Sequence, residues 1–186
     1  MIKKLWIAGL ITLAAGSAQA TVYQVFAQDN SSSGGTGLAT ISLTAGQSFT
    51  VTASTDDLWS AGNLPRFSDA NGLVANRNAT AQDDSGFAPG TQIGADFGSW
   101  TQDGHSAPYG ALVGKIGGQY ITLGTNFIGN APVAGTLSLY YWDSNNGDNT
   151  GSILANVSAA PEPETWAMML AGLGLVASAT RRKKTA

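Results

Sequence analysis

Alternating apolar and polar positions in the middle of the chain predict short β-strands. Residues 38–43 and 48–54 both alternate, and the turn-forming residues 44–47 between them predict a hairpin whose strands each bury one face. Five further segments have the same character: residues 21–27, 110–117, 119–123, 136–142 and 152–157. No amphipathic helix is predicted between residues 21 and 160. Short strands separated by Gly, Asn and Asp turns indicate an all-β domain, a β-sandwich.

One long segment, residues 55–109, lacks this alternation. Gly, Asn, Asp, Ser and Pro dominate it, with large aromatic residues between them. Structureless connections of this length are uncommon in a small domain unless they have a function. We therefore predict a mostly irregular segment that is either functional or an excursion from the sandwich.

The first twenty residues have the layout of a secretory signal peptide. Two lysines supply a basic start, residues 5–15 an apolar helical stretch, and the small residues ending at Ala20 a cleavage site. A permanent N-terminal membrane helix is the alternative, but the apolar run is short and ends in small residues. We predict export by the Sec route and removal of residues 1–20 by signal peptidase, which leaves a domain of residues 21–160.

The charge of residues 21–160 limits the partners of this domain. Three basic residues, Arg66, Arg77 and Lys115, stand against ten Asp residues, which leaves a formal charge of −7. Because phosphate would be repelled, nucleic acid is not an expected partner, whereas a hard cation is. The chain has no Cys, so the exported domain depends on its core or on bound metal for stability.

The densest polar segment, residues 143–151, lies between two predicted strands. It contains two carboxylates, three amides and two glycines: Asp143, Asp148, Asn145, Asn146, Asn149, Gly147 and Gly151. Calcium takes six to eight oxygen ligands of this kind from a loop that curls around it. An ordinary Asn- and Gly-rich hairpin loop is the alternative, and the spacing does not fit an EF-hand.

Four blocks of the chain resemble the LecA-like galactophilic lectins, small bacterial β-sandwich modules that bind galactosides through Ca²⁺. The blocks are GALVGKIG at residues 110–117, the turn at 132–135, LSLYYWD at 137–143 and DNTG at 148–151. The resemblance extends over most of residues 38–158. It implies a sandwich of the jelly-roll or galactose-binding-like class and a calcium-dependent carbohydrate-binding function.

The resemblance also implies a ligand set. Asp143, Asp148 and Asn149 match the side-chain calcium ligands of the family, and backbone carbonyls near Asn145 and Gly62 would complete the shell. Carbohydrate would contact Asp143 and Asp148. The family's sugar-contacting His and Gln have no counterpart here, so the sugar itself is not assigned.

A tryptophan and the single histidine of the chain are further candidates for a functional role. Trp59 is predicted to cover an apolar sugar face, with a place in the end of the sandwich core as the alternative. His105 lies near Asp103 in the sequence, but no nucleophile elbow accompanies them, so we predict that the protein is not an enzyme.

The last segment, residues 161–186, joins a Pro-Glu-Pro triplet to an apolar run and a basic end. The residues of the triplet and the basic end are Pro161, Glu162, Pro163, Arg181, Arg182, Lys183 and Lys184. The fifteen residues 166–180 would form a helix of about 22 Å, shorter than the hydrocarbon core of about 30 Å. The basic end would stay in the cytoplasm. Such a segment suits transient rather than permanent anchoring, although a plain single-span anchor is the alternative.

This layout resembles the PEP-CTERM sorting signal. The resemblance implies a transmembrane helix held briefly in the inner membrane of a Gram-negative bacterium, processing by exosortase, and a final place at the cell surface or in the extracellular matrix. It also implies an association with exopolysaccharide and biofilm. The sequence thus predicts an exported, calcium-dependent carbohydrate-binding protein. The alternative is a structural matrix protein whose calcium loop only stiffens the sandwich.

Overall fold

Strands account for nearly all regular structure in the computed structural model, which describes residues 20–161 and 170–175. The strands in the first of these ranges are β1 (Thr21–Phe26), β2 (Leu38–Leu43), β3 (Ser48–Ala53), β4 (Trp59–Ser60), β5 (Phe67–Ser68), β6 (Arg77–Asn78), β7 (Gln92–Gly94), β8 (Ser99–Gln102), β9 (His105–Pro108), β10 (Leu112–Ile116), β11 (Gln119–Thr122), β12 (Asn126–Asn130), β13 (Gly135–Tyr141) and β14 (Thr150–Ala159). The predicted all-β class is therefore confirmed.

Two antiparallel sheets form the sandwich. In the first sheet the order is β12-β3-β14-β4-β5, and β1 pairs with β14; in the second it is β11-β10-β13-β2. Apolar side chains that alternate along these strands meet between the sheets, for example Val51 and Ile153 from the first and Leu112 and Leu139 from the second, all fully buried. Burial of one face per sheet is the main source of stability in such a fold.

The predicted hairpin between β2 and β3 is wrong. β2 pairs with β13 and β3 pairs with β14 and β12, so the chain crosses from one sheet to the other at residues 44–47. Gln47 closes this turn by accepting the backbone N–H of Thr44 at 2.9 Å. The alternation of apolar and polar residues predicts correctly which face each strand buries. It does not show which strands pair, because two strands in opposite sheets of one sandwich alternate in the same way as two strands of a hairpin.

The long excursion is more ordered than the sequence predicts. Residues 55–109 contain the six short strands β4 to β9, of which β8 and β9 form a hairpin. Trp100 and Ala107 of that hairpin pack against Trp142, which covers part of the outer face of the second sheet. Arg77 and Asp69 form an ion pair of 2.9 Å, which joins two parts of the segment 55–109.

The predicted terminal helices fall largely outside the described residues. Residues 1–19, 162–169 and 176–186 are not described, and these include the residues predicted to form the signal helix and the basic end of the tail. Residues 170–175 are helical. Within the described ranges, no helix has the length and apolar character needed to span a membrane.

Candidate functional site

The connection from β13 to β14, residues 142–149, forms the candidate site at one end of the sandwich. Asp143 is almost completely buried there, with 4% of its surface exposed. Ser32 fixes the backbone of Asp143, because its hydroxyl donates to the Asp143 carbonyl at 3.0 Å and accepts the Asp143 N–H at 3.2 Å. The Asp143 carboxylate accepts the N–H of Ser144 at 2.6 Å. The loop therefore presents a carboxylate in a fixed, desolvated position.

Asn149 supplies a second buried oxygen beside this carboxylate. Its side chain is 2% exposed, and its amide nitrogen donates to the carbonyl of Ala27 at 3.3 Å. The amide oxygen is buried and has no hydrogen-bond partner within the described residues. Buried polar groups are nearly always paired, so an unpaired oxygen here needs an explanation.

Asp148 brings the second carboxylate to the loop from the solvent side. One of its oxygens accepts the Asn145 amide at 3.1 Å, while the other lies 3.9 Å from the Arg66 guanidinium. The Asn145 amide oxygen in turn accepts the N–H of Gly147 at 3.1 Å. Because both Asp148 and Arg66 are well exposed, their ion pair contributes little stability and leaves Asp148 free to change partners.

The environment of the buried Asp143 carboxyl favours its neutral form. Burial raises the pKa of the Asp143 carboxyl above its ordinary value, and the charge of Asp148 raises it further. The N–H groups of Ser144 and Asn145 and the amide of Asn149 act in the opposite direction. Burial also raises the pKa of the neighbouring Tyr141 well above its ordinary value, again with help from both carboxylates. Negative charge is thus concentrated here without full compensation.

Gly62 approaches the loop from a distant part of the chain. A Cβ atom built on Gly62 would lie 2.5 Å from an Asp148 carboxylate oxygen, and the glycine has a φ of +119°, which other residues rarely adopt. Its carbonyl accepts the Ser60 hydroxyl at 2.6 Å and has a second lone pair. The structure thus places residue 62 beside residue 148, as the lectin resemblance implies.

The structure contradicts the predicted role of Trp59 in carbohydrate binding. Trp59 is completely buried, its indole N–H donates to the Gly110 carbonyl at 2.8 Å, and its ring meets that of Tyr141 edge-on at 4.6 Å. An indole with no exposed face cannot stack on a sugar. Trp59 belongs to the core at this end of the sandwich, which was the alternative.

His105 is built into an aromatic cluster rather than a catalytic one. Its Nε2 is hydrogen-bonded to the Thr122 hydroxyl at 3.1 Å, and its ring packs edge-on against Trp142 at 5.2 Å. Burial lowers the pKa of His105. The nearby Asp103 occupies a turn with a φ of +51°. This geometry gives no support to a Ser-His-Asp mechanism.

The donor set at the candidate site fits a hard cation. Carboxylate, amide and carbonyl oxygens from Asp143, Asp148, Asn149 and Gly62 are the ligand types that Ca²⁺ prefers, and no sulfur or imidazole is among them. Residues 20–161 and 170–175 contain no cluster of three or more His, Cys, Asp or Glu side chains with metal-binding geometry. A cation here would therefore depend on amide and carbonyl oxygens for the rest of its shell.

Sequence reasoning missed two residues that shape this site. Ser32 lies 111 positions from Asp143 in a Ser- and Gly-rich segment, where nothing distinguishes it from its neighbours. Arg66 pairs with Asp148 and also lies 4.4 Å over the ring of Phe97. One signal could have identified Arg66, since it is one of only three basic residues in an acidic domain.

Comparison with known proteins identifies the C-terminal segment. Residues 159–184 match the model of the PEP-CTERM protein-sorting motif, which confirms the motif predicted from the sequence. No curated protein matches the chain at a significant level. Among solved structures, the chain is similar to the N-terminal domain of EclA, described as a PllA-like lectin. The identity is 21% and the TM-score 0.46, over 75% of this chain and 95% of that one.

Proposed function

We propose that this protein is exported, processed by exosortase through its PEP-CTERM motif, and displayed at the cell surface or in the extracellular matrix, where its sandwich binds carbohydrate with calcium. A cleaved N-terminal signal helix and a transient C-terminal membrane helix belong to the same proposal. The protein is a binding module in this account and not an enzyme. Its partners are signal peptidase, exosortase, the inner membrane during sorting, and an exopolysaccharide.

The unpaired, buried amide oxygen of Asn149 is the observation that supports the calcium site most strongly. Leaving such a buried oxygen without a partner costs about 1–3 kcal/mol. A cation held by this oxygen and the Asp143 carboxylate would relieve that cost. Asp143, Asp148 and Asn149 would hold it with their side chains, and Asn145 and Gly62 with their carbonyls.

Bound calcium would supply a positive centre that attracts pairs of sugar hydroxyls. The chain itself contributes acceptors, because a carboxylate oxygen of Asp143 or Asp148 that does not contact the ion can accept a sugar hydroxyl. Arg66, which reaches Asp148, supplies a donor at the rim of the site. With Trp59 in the core, its ring cannot stack on the sugar, so binding of a single sugar should be weak, with Kd near the millimolar range, about −4 kcal/mol.

The strand β14 gives this site its orientation. The candidate loop ends at Asn149 and β14 begins at the next residue, Thr150. β14 ends at Ala159, where the sorting motif begins. Ten residues of strand separate the two by about 33 Å. The far end is fixed to the sandwich, since Ala160 donates to Ser48 and accepts the amide of Gln47, both at 2.9 Å. The site therefore faces away from a membrane that holds the tail.

Calcium is expected to raise the melting temperature of the protein, because it binds the folded state and not the unfolded one. At a hundredfold excess over Kd the gain is about 2.7 kcal/mol. The double variant Asp143→Ala/Asp148→Ala should lose this response. A matched control, Asp56→Ala/Asp96→Ala, removes the same charge from exposed positions outside the loop and should keep it. An equal shift in all three proteins would exclude this site.

The basic end of the tail is expected to be required for sorting. Replacing the four residues Arg181, Arg182, Lys183 and Lys184 with Gln removes the charges that would keep the C-terminus in the cytoplasm. Export should continue, but the tail should remain uncut or the protein be released in the wrong place. Intact-mass analysis of the fractionated protein gives the result. Normal mass and location in the variant would contradict the sorting proposal.

A structural matrix protein is the second candidate, and the burial of the site favours it. Asp143 and Asn149 are only 4% and 2% exposed, which is what an ion needs if it only stiffens the loop. In that case calcium raises the melting temperature, but no sugar binds at any calcium concentration. The two candidates therefore differ in glycan binding and not in metal binding.

A further inference from the structure

The outer face of the second sheet has an aromatic and basic surface that the calcium loop does not use. Tyr120 of β11, Lys115 of β10 and Tyr140 of β13 lie on neighbouring strands, and we call these three residues the tyrosine face. In the strand register Lys115 is opposite Tyr120 on one side and Ser138 on the other. All three side chains are partly exposed.

Both tyrosine rings are held in place by their neighbours. Their centroids are 5.9 Å apart with the planes at 72°, and Tyr120 also packs on Trp142 at 5.0 Å. The hairpin of β8 and β9 covers the adjacent part of this sheet face through Trp100. The tyrosine face is thus the open border of a packed aromatic cluster, and its rings lose little freedom when they contact a ligand.

Lys115 differs from the two other basic residues of the domain. Arg66 and Arg77 form ion pairs with carboxylates, whereas Lys115 has no ion pair among the described residues. Its ammonium donates to the Tyr120 hydroxyl at 3.0 Å and lies 4.2 Å from the centre of that ring. The hydrogen bond raises the pKa of Lys115. An acidic domain therefore presents an ammonium with no carboxylate at ion-pair distance among the described residues, although the charge of Asp103 acts on it, and two aromatic rings lie beside it.

A cavity of about 440 Å³ lies between the candidate calcium loop and the segment that precedes β2. It is lined by residues 28–30, by residues 34–39 and by Asn146 of the loop. Gly37 lies against Tyr140, since a Cβ atom built on Gly37 would be 2.3 Å from the tyrosine ring. Gly34 lies against Asn146, since a Cβ atom built on Gly34 would be 2.9 Å from the amide oxygen of Asn146. The cavity thus borders the calcium loop at Asn146, and Gly37 in its wall contacts Tyr140 of the tyrosine face.

We propose that the tyrosine face is a second, calcium-independent carbohydrate subsite that binds an acidic sugar of a polysaccharide, such as a uronate. The proposal rests on carbohydrate binding by the proposed function and extends it along the chain of the ligand. Lys115, held by Tyr120, would bind the sugar carboxylate, and Tyr140 would contact the apolar face of a sugar ring.

The charges and shape of the surface favour this occupant. One ammonium without an ion pair can bind one carboxylate, so it fits a polysaccharide that carries a carboxylate only every few sugars. The formal charge of −7 on residues 21–160 repels a densely charged polyanion. The face is bordered by hydroxyl groups, with Ser138 next to Lys115 and with Thr136 and Ser42 in contact at 3.5 Å. A protein partner would need a wider apolar surface than two partly exposed rings provide.

The test uses hyaluronan oligosaccharides of four and ten sugars, titrated into the protein in chelator. The wild type should bind the longer oligosaccharide, and Lys115→Gln or Tyr140→Ala should weaken that binding at least about fivefold. Phe26→Ala, which removes an exposed ring from the outer face of the first sheet, should have no effect. Oligosaccharides whose carboxylates are methyl-esterified should bind the wild type and Lys115→Gln equally.

The outcomes separate this proposal from the calcium site. If wild type and Lys115→Gln bind the ten-sugar ligand equally in chelator, or if neither binds, the subsite is wrong even where calcium-dependent binding is found. If calcium causes no thermal shift but Lys115-dependent binding is present, the subsite stands and the calcium proposal fails. Both variants should keep the melting temperature of the wild type to within a few degrees, since both positions are partly exposed.

Discussion

Replacing Trp59 with Ala is expected to lower the free energy of unfolding by about 3–5 kcal/mol. The indole is fully buried between the sheets, packs edge-on against Tyr141 and donates a hydrogen bond to Gly110. Its removal leaves a large cavity and takes a donor from a buried carbonyl. Urea denaturation of the variant and the wild type measures the loss, which amounts to a large part of the stability of a small domain.

A second truncation shows whether this loss comes from burial. Ile128→Ala removes an apolar side chain that is 73% exposed on β12, so its effect should stay within about 0.5 kcal/mol. If Trp59→Ala costs no more than Ile128→Ala, then Trp59 is not a core residue. In that case its role in sugar binding would have to be reconsidered.

The substitution Asp143→Asn is expected to have opposite effects with and without calcium. Burial raises the pKa of the Asp143 carboxyl in the folded protein. The neutral carboxyl therefore contributes stability that is fully present below the unfolded-state pKa of about 3.9. This stability is lost as the pH rises through the raised folded-state pKa. At pH 7 without calcium, an uncharged amide of the same shape should therefore make the protein more stable. With calcium the order should reverse, because the variant lacks the stabilisation of about 2.7 kcal/mol expected at a hundredfold excess.

Melting temperatures at pH 7 and at pH 4, each with calcium and with chelator, test this reversal. In chelator, the difference in melting temperature between the variant and the wild type should be smaller at pH 4 than at pH 7. The reason is that the wild-type Asp143 carboxyl is increasingly protonated at pH 4. Asp103→Asn is the control, since Asn also tolerates the positive φ at that exposed turn. A variant that is less stable than the wild type in chelator at pH 7, or that responds to calcium equally, would disprove the account of Asp143.

Most of the sandwich strands could be predicted because their alternation reports burial directly. The predicted segment 38–43 coincides with β2, and the segments 48–54 and 119–123 each exceed a strand by one residue. β12 was missed because it contains two Asn and a Gly and its Ile128 points to solvent. Pairing was harder to predict, because the partner of a strand depends on contacts far along the chain.

The candidate site could be predicted only in part, for a related reason. The composition of residues 143–151 reveals a loop rich in oxygen ligands, and the lectin resemblance brings Gly62 to it. Neither indicates that Asn149 is left with an unpaired oxygen or that Ser32 fixes Asp143, since these facts arise from packing between distant segments. Trp59 was misjudged because a single tryptophan in a polar segment gives no sign of which side of the sheet it faces.

The most direct measurement is the binding of neutral mono- and disaccharides to the mature protein, with calcium and with chelator. Neutral sugars lack the carboxylate that Lys115 would bind, so they test the calcium loop apart from the tyrosine face. We expect weak binding that requires calcium and disappears in Asp143→Ala/Asp148→Ala. Absence of binding to any sugar, or binding that is unchanged by chelator and by the double variant, would contradict this expectation.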